Sequence, residues 1–372
     1  MPDTTTPAPT SAPHGRRRGE TVHAATTGRA LRILAWLSFI SETIIIGTGG
    51  AVRLTGSGLG CSEWPLCTPE SLVPTPEQGI HGVIEFGNRL MTGVVGIIAI
   101  AVVLLVLHAV NGSRALRVAL LFAGGGILAA GAAFAIASPM NIPAFPVAAA
   151  VLLAVTIAAA VQSVRSTEER RDLVLLAWIT LVGVVAQAFV GGITVLTGLN
   201  PFIVGFHYTS SLLLVCVTAA FLVRLNAPAG HRVLAVPRWF AVLTHVTGLA
   251  LAMTIVFGVL TTGSGPHSGD ADVLRHGFDA TVLAHVHSWP GYILAGLVAV
   301  LTIAAWKLRL EPRRWLLVLV FAILVQVGVG VWQAREGLPP LLVGIHMVLA
   351  ALSAAAYTVV VLHLRRPADV RD

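Results

Sequence analysis

The segment QAFVGGITVLTGLNPFIVGFH, residues 187–207, recurs along the chain as QVGVGVWQAREGLPPLLVGIH, residues 326–346. The two segments align without a gap at an offset of 139 residues, the distance from Gln187 to Gln326. The aligned pairs include Gln187 with Gln326, Gly198 with Gly337, Pro201 with Pro340, and His207 with His346. A repeat of this kind predicts a duplicated structural unit.

Both copies lie within long apolar runs. The chain of 372 residues is 56% hydrophobic and 11% charged, and its mean hydropathy of +0.84 is typical of a protein that lies mostly in lipid. Runs of about 20 apolar residues, enough to cross roughly 30 Å of hydrocarbon, predict an all-α integral membrane protein with about ten transmembrane helices. The predicted spans are residues 31–53, 81–109, 115–138, 142–163, 173–196, 202–224, 238–262, 281–306, 314–334 and 340–364.

Basic residues mark every second connection between these spans. Because positive charge accumulates on the cytoplasmic side, this alternation predicts that both termini are cytoplasmic. It also argues against reading the net charge of +7 as a nucleic-acid-binding patch. Residues 1–30, rich in Pro, Thr, Ser and Ala, are predicted to be a disordered cytoplasmic tail, and residues 365–372 a second tail. The first apolar run is predicted to be a membrane anchor rather than a signal peptide.

The repeat extends to earlier helices. LTGSG at residues 54–58 is similar to TTGSG at residues 261–265, and each lies just beyond an outward-running span. Their larger offset is explained if a helix pair at about residues 115–163 is an insertion into the first half. We therefore predict two tandem pseudo-symmetric four-helix bundles in a parallel repeat, residues 31–225 and residues 237–364.

Charged and imidazole side chains are costly inside a membrane, so each one is a functional candidate. Those in the predicted spans lie toward the outer helix ends and form one layer: His81, Glu85, Asn88, Arg89, His207, His285, His287 and His346. We interpret Glu85 as the only carboxylate within the apolar part of any span.

His287 and His346 are the predicted ligands of a haem iron. They come from the second and fourth helices of the second bundle, and two facing imidazoles in an apolar bundle suit bis-histidine ligation. His285 lies about 200° round the helix from His287, so only one of the two can face the bundle axis. A single buried histidine is more often a hydrogen-bonded core residue, but the repeat favours ligation. A zinc site is less favoured because no carboxylate or thiol joins the pair.

The first half carries a different set of candidates. His207 aligns with His346, whereas Asn88 takes the place of a second imidazole in a looser alignment with His287. One strong axial ligand suits a reactive or exchangeable haem iron, so we predict that His207 is the metal ligand of a second haem site. Asn88, His81 and water are the candidates for the opposite axial position.

The outer side of the membrane carries two further features. Glu85 is the predicted catalytic acid–base residue, and the alternative is a structural ion pair with Arg89, itself a candidate for cofactor binding. Cys61 and Cys67 share the first outer loop, where an oxidising compartment favours a disulfide over two free thiols or a metal pair.

The motifs at these positions resemble the haem A synthase family. The matching elements are GGAVRLTGSGLGCSEWPLC at residues 49–67, IEFGNR at 84–89, QAFVGGITVLTGLNP at 187–201, TGSGPHSGD at 262–270, and His207, His287 and His346. The resemblance implies an eight-helix pseudo-symmetric core, a haem b in the C-terminal half, and a site for the substrate haem O in the N-terminal half. It also implies oxidation of a haem O methyl group to the formyl group of haem A in the cell membrane, for cytochrome oxidase.

The resemblance also bears on partners and on alternatives. It implies contact with the lipid bilayer and with haem O and haem A, and it suggests the haem O synthase, oxidase assembly factors and an unidentified electron-transfer protein as partners. The chain departs from the family at Asn88, where Glu-x-x-His-Arg is usual, and in the helices near residues 115–163. The main alternative function is a b-type cytochrome that transfers electrons without substrate chemistry. A transporter built from repeats is less favoured, because its polar residues should gather near the midplane.

Overall fold

The computed structural model describes residues 28–265, 267, 269–270, 273 and 279–368. Residues 1–27 of the predicted tail 1–30 lie outside the described part, whereas Arg29 and Ala30 belong to the first helix. Nine α-helices occur in the described part: α1 Arg29–Leu54, α2 Gly79–Ala137, α3 Ala144–Arg165, α4 Arg171–Leu196, α5 Pro201–Leu225, α6 Arg238–Ser264, α7 Ala280–Lys307, α8 Arg313–Arg335 and α9 Pro340–Leu362. All nine are long and apolar enough to cross a membrane. The predicted all-α membrane fold is therefore confirmed.

Helix α2 accounts for the difference between nine helices and about ten predicted spans. It runs for 59 residues and contains both the second and the third predicted span, with a kink at Gly112 where φ is 76° and ψ is −173°. Glycine reaches this positive φ without a steric penalty. Beside the kink, Asn111 Nδ2 donates to Thr167 Oγ1 over 2.8 Å. Phe134 and Phe145 stack farther along, with ring centroids 4.8 Å apart, so the second part of α2 and α3 form an antiparallel pair.

The buried apolar residues form two clusters. One cluster is contributed by helices α1 to α5, and the other by α5 to α9 together with Ile46 of α1. Helices α1, α5 and α9 pack against one another where the two clusters meet. The division into tandem repeated bundles remains a prediction, although several contacts recur at the same offset in both halves.

The connections α4–α5 and α8–α9 share one such recurring feature. Gly198 and Leu199 have φ of 60° and 58°, and Gly337 and Leu338 have φ of 73° and 64°. A leucine with positive φ is uncommon because its side chain crowds the backbone. Both connections therefore adopt the same unusual backbone turn immediately before the helix that carries His207 or His346.

Two short strands, which the sequence analysis did not predict, lie at the far side from these turns. Strand β1, Arg232–Leu234, pairs in antiparallel orientation with β2, Arg365–Pro367. The Ala235 N–H also donates to the Leu364 carbonyl oxygen over 2.8 Å. Residues 365–367, which we assigned to the C-terminal tail, are thus paired with the connection between α5 and α6.

Candidate functional site

One internal cavity brings together polar side chains from both halves of the molecule. Every helix except α3 contributes to its walls, and its polar lining includes Glu42, Arg53, Asn88, Gln187, His207, His287, Gln326, His346 and Ser353. The three predicted histidine ligands therefore face a single space between the helices. The remaining predicted site residues, Glu85, Arg89, Cys61 and Cys67, do not line this cavity.

His287 of α7 and His346 of α9 face each other across the cavity. Their ring centroids are 6.3 Å apart and the ring planes are inclined at 82°. Two imidazoles that share a metal through bonds of about 2 Å have centroids about 6 Å apart. His287 Nδ1 donates to the Thr254 carbonyl oxygen over 2.9 Å, which leaves its Nε2 without a proton and able to bind a metal.

The His346 ring contacts Gln326 in an arrangement with two unsatisfied atoms. Gln326 Nε2 lies 3.3 Å from His346 Nε2 and donates to the His346 carbonyl oxygen over 3.1 Å. His346 Nδ1 and Gln326 Oε1 are both buried and have no hydrogen-bond partner among the described residues. The corresponding two atoms of the first half, His207 Nδ1 and Gln187 Oε1, are hydrogen-bonded to each other.

The histidine and glutamine of the first half form two hydrogen bonds. His207 Nδ1 donates to Gln187 Oε1 over 2.7 Å, and Gln187 Nε2 donates to the His207 carbonyl oxygen over 3.2 Å. His207 Nε2 is therefore free of the glutamine. A ligating histidine usually donates its other ring N–H to a neighbouring acceptor in this way, because the bond fixes the ring orientation.

A glycine on a neighbouring helix lies behind each of the three imidazoles. A Cβ atom at Gly258 would lie 2.9 Å from His287 Cε1, and one at Gly330 would lie 3.0 Å from His346 Cε1. A Cβ at Gly191, which aligns with Gly330 in the repeat, would lie 3.5 Å from His207 Cε1. The rings pack directly on helix backbone, so a larger residue would displace them toward the cavity. Two facing imidazoles held in this way fit a haem iron with two axial ligands.

Asn88 lines the cavity but is a poor candidate for a strong ligand. Its Oδ1 accepts a hydrogen bond of 2.7 Å from Thr48 Oγ1, and its amide nitrogen has no lone pair to offer a metal. His81, the other protein candidate for the opposite axial position, is exposed and lies 2.9 Å from Ser57 Oγ through its Nδ1. His285 is also exposed, on the side of α7 away from the cavity.

Glu85 and Arg89 face the connection between α1 and α2. Glu85 Oε1 lies 2.6 Å from Arg89 Nη2, and Glu85 Oε2 accepts from the Cys61 backbone N–H over 2.6 Å. Arg89 also donates to the carbonyl oxygens of Cys61, Glu63 and Leu66. The structural ion pair that we kept as an alternative for Glu85 is thus formed.

The loop that this pair contacts is closed by the predicted disulfide between Cys61 and Cys67. Trp64, inside the loop, packs against α4: its indole lies directly on Gly192, where a Cβ atom would not fit. No group of three or more histidine, cysteine or acidic side chains suited to a metal ion occurs in the part of the chain that the structure describes.

The interpretation of Glu85 as the only carboxylate in the apolar part of a span was wrong. Glu42 lies near the middle of α1, is 2% exposed, and lines the cavity. The sequence signal was present, because Glu42 interrupts the apolar run WLSFISETIIIG of the first predicted span. Attention to the outer layer of polar residues caused it to be missed, since Glu42 lies deeper than that layer.

Comparisons with known proteins agree with the motifs. Residues 32–134 match the model of the COX15-CtaA family, described as Cytochrome oxidase assembly protein. Over 77 residues, 20% of its length, the chain is 40% identical to a Heme A synthase of Exiguobacterium sibiricum, covering 25% of that relative. It is 38% identical over 77 residues, again 20% of the chain, to a Heme A synthase of Bacillus pumilus, covering 24% of it. It is 41% identical over 71 residues, 18% of the chain, to one of Bacillus cereus, covering 22% of it.

These findings confirm the resemblance to the haem A synthase family. The chain spans about a quarter of the length of the curated relatives that it matches. The family model matches the region of α1 and α2. Glu42, Glu85, Asn88 and the disulfide loop all fall inside the residues that match the family model, whereas the three histidines of the cavity fall outside them.

Proposed function

We propose that the chain is a haem A synthase, a membrane enzyme that oxidises a methyl group of haem O to the formyl group of haem A. One observation carries the proposal: a facing imidazole pair and a third imidazole line the same cavity within apolar helices. The similarity of residues 32–134 to the family supports it independently of those histidines. A b-type cytochrome would need only the facing pair.

His287 and His346 are the residues that would hold a haem b. When bound there, a haem with two strong axial ligands supplies one-electron transfer. Thr254 orients the His287 ring through a hydrogen bond, Gln326 donates to the His346 carbonyl oxygen, and Gly258 and Gly330 allow both rings to lie close to helix backbone. The residues that would hold the haem b thus come from two helices, α7 and α9.

His207 is the residue that would bind the iron of the substrate haem O. Gln187 fixes its ring so that Nε2 is available. Because the Asn88 side-chain oxygen already accepts a hydrogen bond from Thr48, the side of the iron opposite His207 would lack a strong protein ligand. An iron with one strong ligand exchanges and reacts more readily than one with two, which suits a substrate that must enter, be oxidised and leave.

Glu85 remains our proposed acid–base residue, supported by its place next to α1 and the outer loop. Its carboxyl group forms an ion pair with Arg89 and accepts a hydrogen bond from the Cys61 backbone N–H, so it also positions the disulfide loop. For proton transfer its carboxyl group would have to exchange one of these partners for the substrate or a water molecule. A positioning role requires no such exchange.

The proposal includes an orientation in the cell membrane with both termini cytoplasmic. Basic residues at alternate connections support it, and the β1–β2 pair joins two connections that both carry arginine. The disulfide loop then lies on the outer side, where thiols can be oxidised. Candidate partners are the haem O synthase that supplies the substrate, oxidase assembly factors, and an electron-transfer partner.

Production of the chain in cells that make haem O but no haem A tests the proposal. Extracted pigments should contain haem A, and the His207→Ala variant should give haem O alone while its purified form keeps haem b. Haem-loaded protein without any haem A would favour the electron-transferring cytochrome. Purified protein without a Soret band would reject both haem functions.

A further inference from the structure

Glu42 is a buried carboxyl group that the proposed function does not use. It is 2% exposed, and its Oε1 has no hydrogen-bond partner among the described residues. It also forms no ion pair with any of them. An unpaired carboxylate in apolar surroundings is strongly disfavoured, so the group is expected to carry a proton and to act as both donor and acceptor.

Glu42 belongs to the face of α1 that lines the cavity. This face has helical spacing and consists of Glu42, Ile45, Ile46, Gly49, Gly50 and Arg53. At its outer end, a Cβ atom at Gly49 would lie 3.9 Å from Asn88 Oδ1, next to the proposed substrate site. Glu42 is seven residues deeper, about 10 Å along the helix axis. It is the deepest residue of this face.

A second unsatisfied polar group lies at the same depth on the facing helix. Ser353 of α9 is 3% exposed, lines the cavity, and has no hydrogen-bond partner for its Oγ among the described side chains. Helices α1 and α9 run in opposite directions, and a Cβ at Gly47 would lie 3.5 Å from Val348 Cγ2. Glu42 and Ser353 are each five residues deeper than that contact. Two independent helices therefore present a free hydrogen-bonding group to the same part of the cavity.

The walls around these two groups are apolar. Ile45, Ile46, Leu214 and Ala350 line the cavity with them. Such a chamber suits a hydrocarbon that carries one polar group, because the hydrocarbon covers the apolar walls while the polar group satisfies the carboxyl and the hydroxyl. Without a ligand or water, each of these buried polar atoms lacks the hydrogen bonds that it would make in water, which is unfavourable.

We propose that Glu42 and Ser353 form a hydrogen-bonding subsite for an aliphatic hydroxyl group on the hydrocarbon tail of the substrate. This inference rests on the proposed function, because haem O differs from protohaem in carrying a farnesyl tail with a hydroxyl group next to the porphyrin ring. A site built to hydrogen-bond a substrate hydroxyl discriminates strongly against an analogue that lacks it. Glu42 is thus a specificity-determining residue that selects haem O over protohaem.

Titration of the purified protein tests the subsite. Protein already loaded with haem b is titrated in detergent with haem O and, separately, with protohaem, and the Soret change gives an apparent Kd for each. The wild-type chain should prefer haem O. Glu42→Leu should reduce this preference about tenfold, the loss expected for one buried hydrogen bond, by weakening haem O binding alone. Ser353→Ala should reduce it by a smaller factor.

Two further variants separate hydrogen bonding from other roles. Glu42→Gln should keep most of the preference, because an amide also donates and accepts. Ser41→Ala is the matched control, since Ser41 is buried beside Glu42 but donates to the Ser38 carbonyl oxygen of its own helix and does not line the cavity. It should leave both Kd values unchanged. Retained haem b shows that each variant is folded.

The outcomes divide clearly. The subsite is overturned if Glu42→Leu keeps the preference for haem O over protohaem or weakens the binding of both haems equally. It is also overturned if Glu42→Leu and Glu42→Gln have the same effect. If the wild-type chain makes haem A in cells while Glu42→Leu leaves the preference intact, only the subsite fails. If the wild-type chain neither prefers haem O nor converts it, the proposed function fails as well.

Discussion

The hydroxyl group of Tyr208 donates a hydrogen bond of 2.9 Å to the carbonyl oxygen of Met347, and these two residues occupy aligned positions in the two copies of the repeat. Tyr208 follows His207 on α5, and Met347 follows His346 on α9. The two helices that carry aligned imidazoles are therefore joined directly at the level of those imidazoles. This hydrogen bond therefore restrains the movement of α5 relative to α9.

Loss of this hydrogen bond should lower stability without removing a haem ligand. Tyr208→Phe keeps the ring and deletes the donor, so we expect a decrease of about 1 kcal/mol in the free energy of unfolding and a Tm lower by a few degrees. Thermal unfolding of the haem-loaded protein measures this. An unchanged Tm would show that the bond contributes nothing to the packing of α5 on α9.

Removal of either facing imidazole should release the haem b. His287→Ala and His346→Ala each leave one axial ligand, and we expect purified variants to lose most of their haem relative to the wild-type chain. The haem content per protein, measured from the pyridine haemochrome spectrum, checks this. His285→Ala is the control, because this exposed residue of α7 does not line the cavity, and it should keep its haem. Full haem content in both ligand variants would contradict the assignment.

The contact between His346 and Gly330 offers a second test of the same site. Gly330→Ala places a Cβ 3.0 Å from His346 Cε1, so the ring must shift, and we expect haem affinity to fall about tenfold or more. Gly328→Ala is the matched control on the same helix, because no atom lies within 4 Å of the added Cβ. It should keep haem affinity and stabilise α8 by up to about 1 kcal/mol. Equal effects of the two substitutions would show that the Gly330 contact is unimportant.

An imidazole at residue 88 should change the substrate site. Asn88→His places a strong ligand opposite His207, so a haem bound there should become six-coordinate and low-spin and should exchange more slowly. Absorption and paramagnetic resonance spectra after addition of haem O measure the change. Thr48→Val, which deletes the donor to Asn88 Oδ1, is the comparison and should add no low-spin signal. An unaltered spectrum in Asn88→His would place the substrate iron away from α2.

The role of Glu85 can be separated from that of the loop it holds. Glu85→Ala should keep haem b, since neither the carboxyl group nor its ion pair contacts the facing imidazoles. It should abolish haem A formation, because the proposed acid–base group is removed. Cys61→Ser with Cys67→Ser opens the loop but keeps the carboxyl group. If the double cysteine variant remains active while Glu85→Ala is inactive, the carboxyl group itself is required. Equal losses would indicate that Glu85 acts by positioning the loop.

The membrane fold could be predicted closely because lipid restricts the chain to long apolar helices. The hydropathy of the second and third spans indicated two helices, and the non-helical backbone of Gly112 does divide α2 between them, but the sequence did not show that helix would resume directly after this residue. The pairing of β1 with β2 was also not predicted, because three-residue strands between distant polar connections leave no periodic signal.

Part of the candidate site could be predicted as well. The repeat identified His207 and His346, and its looser alignment at residue 88 favoured His287 over His285, because an internal duplication is informative even in one sequence. The sequence did not show that histidines from both halves face one cavity, since that depends on how α1, α5 and α9 pack. Glu42 was visible in the sequence as a carboxyl group within an apolar run, but its contact with the cavity likewise depends on this packing.

The β1–β2 pair has a consequence for how such a chain can arise. Strand β1 precedes α6 and strand β2 follows α9, so the four helices between them start and finish at one place on the molecular surface. A segment whose two ends meet can be copied, fused or circularly permuted with a linker of only a few residues. Gene fusion of two such segments would therefore require no long crossing of the membrane surface.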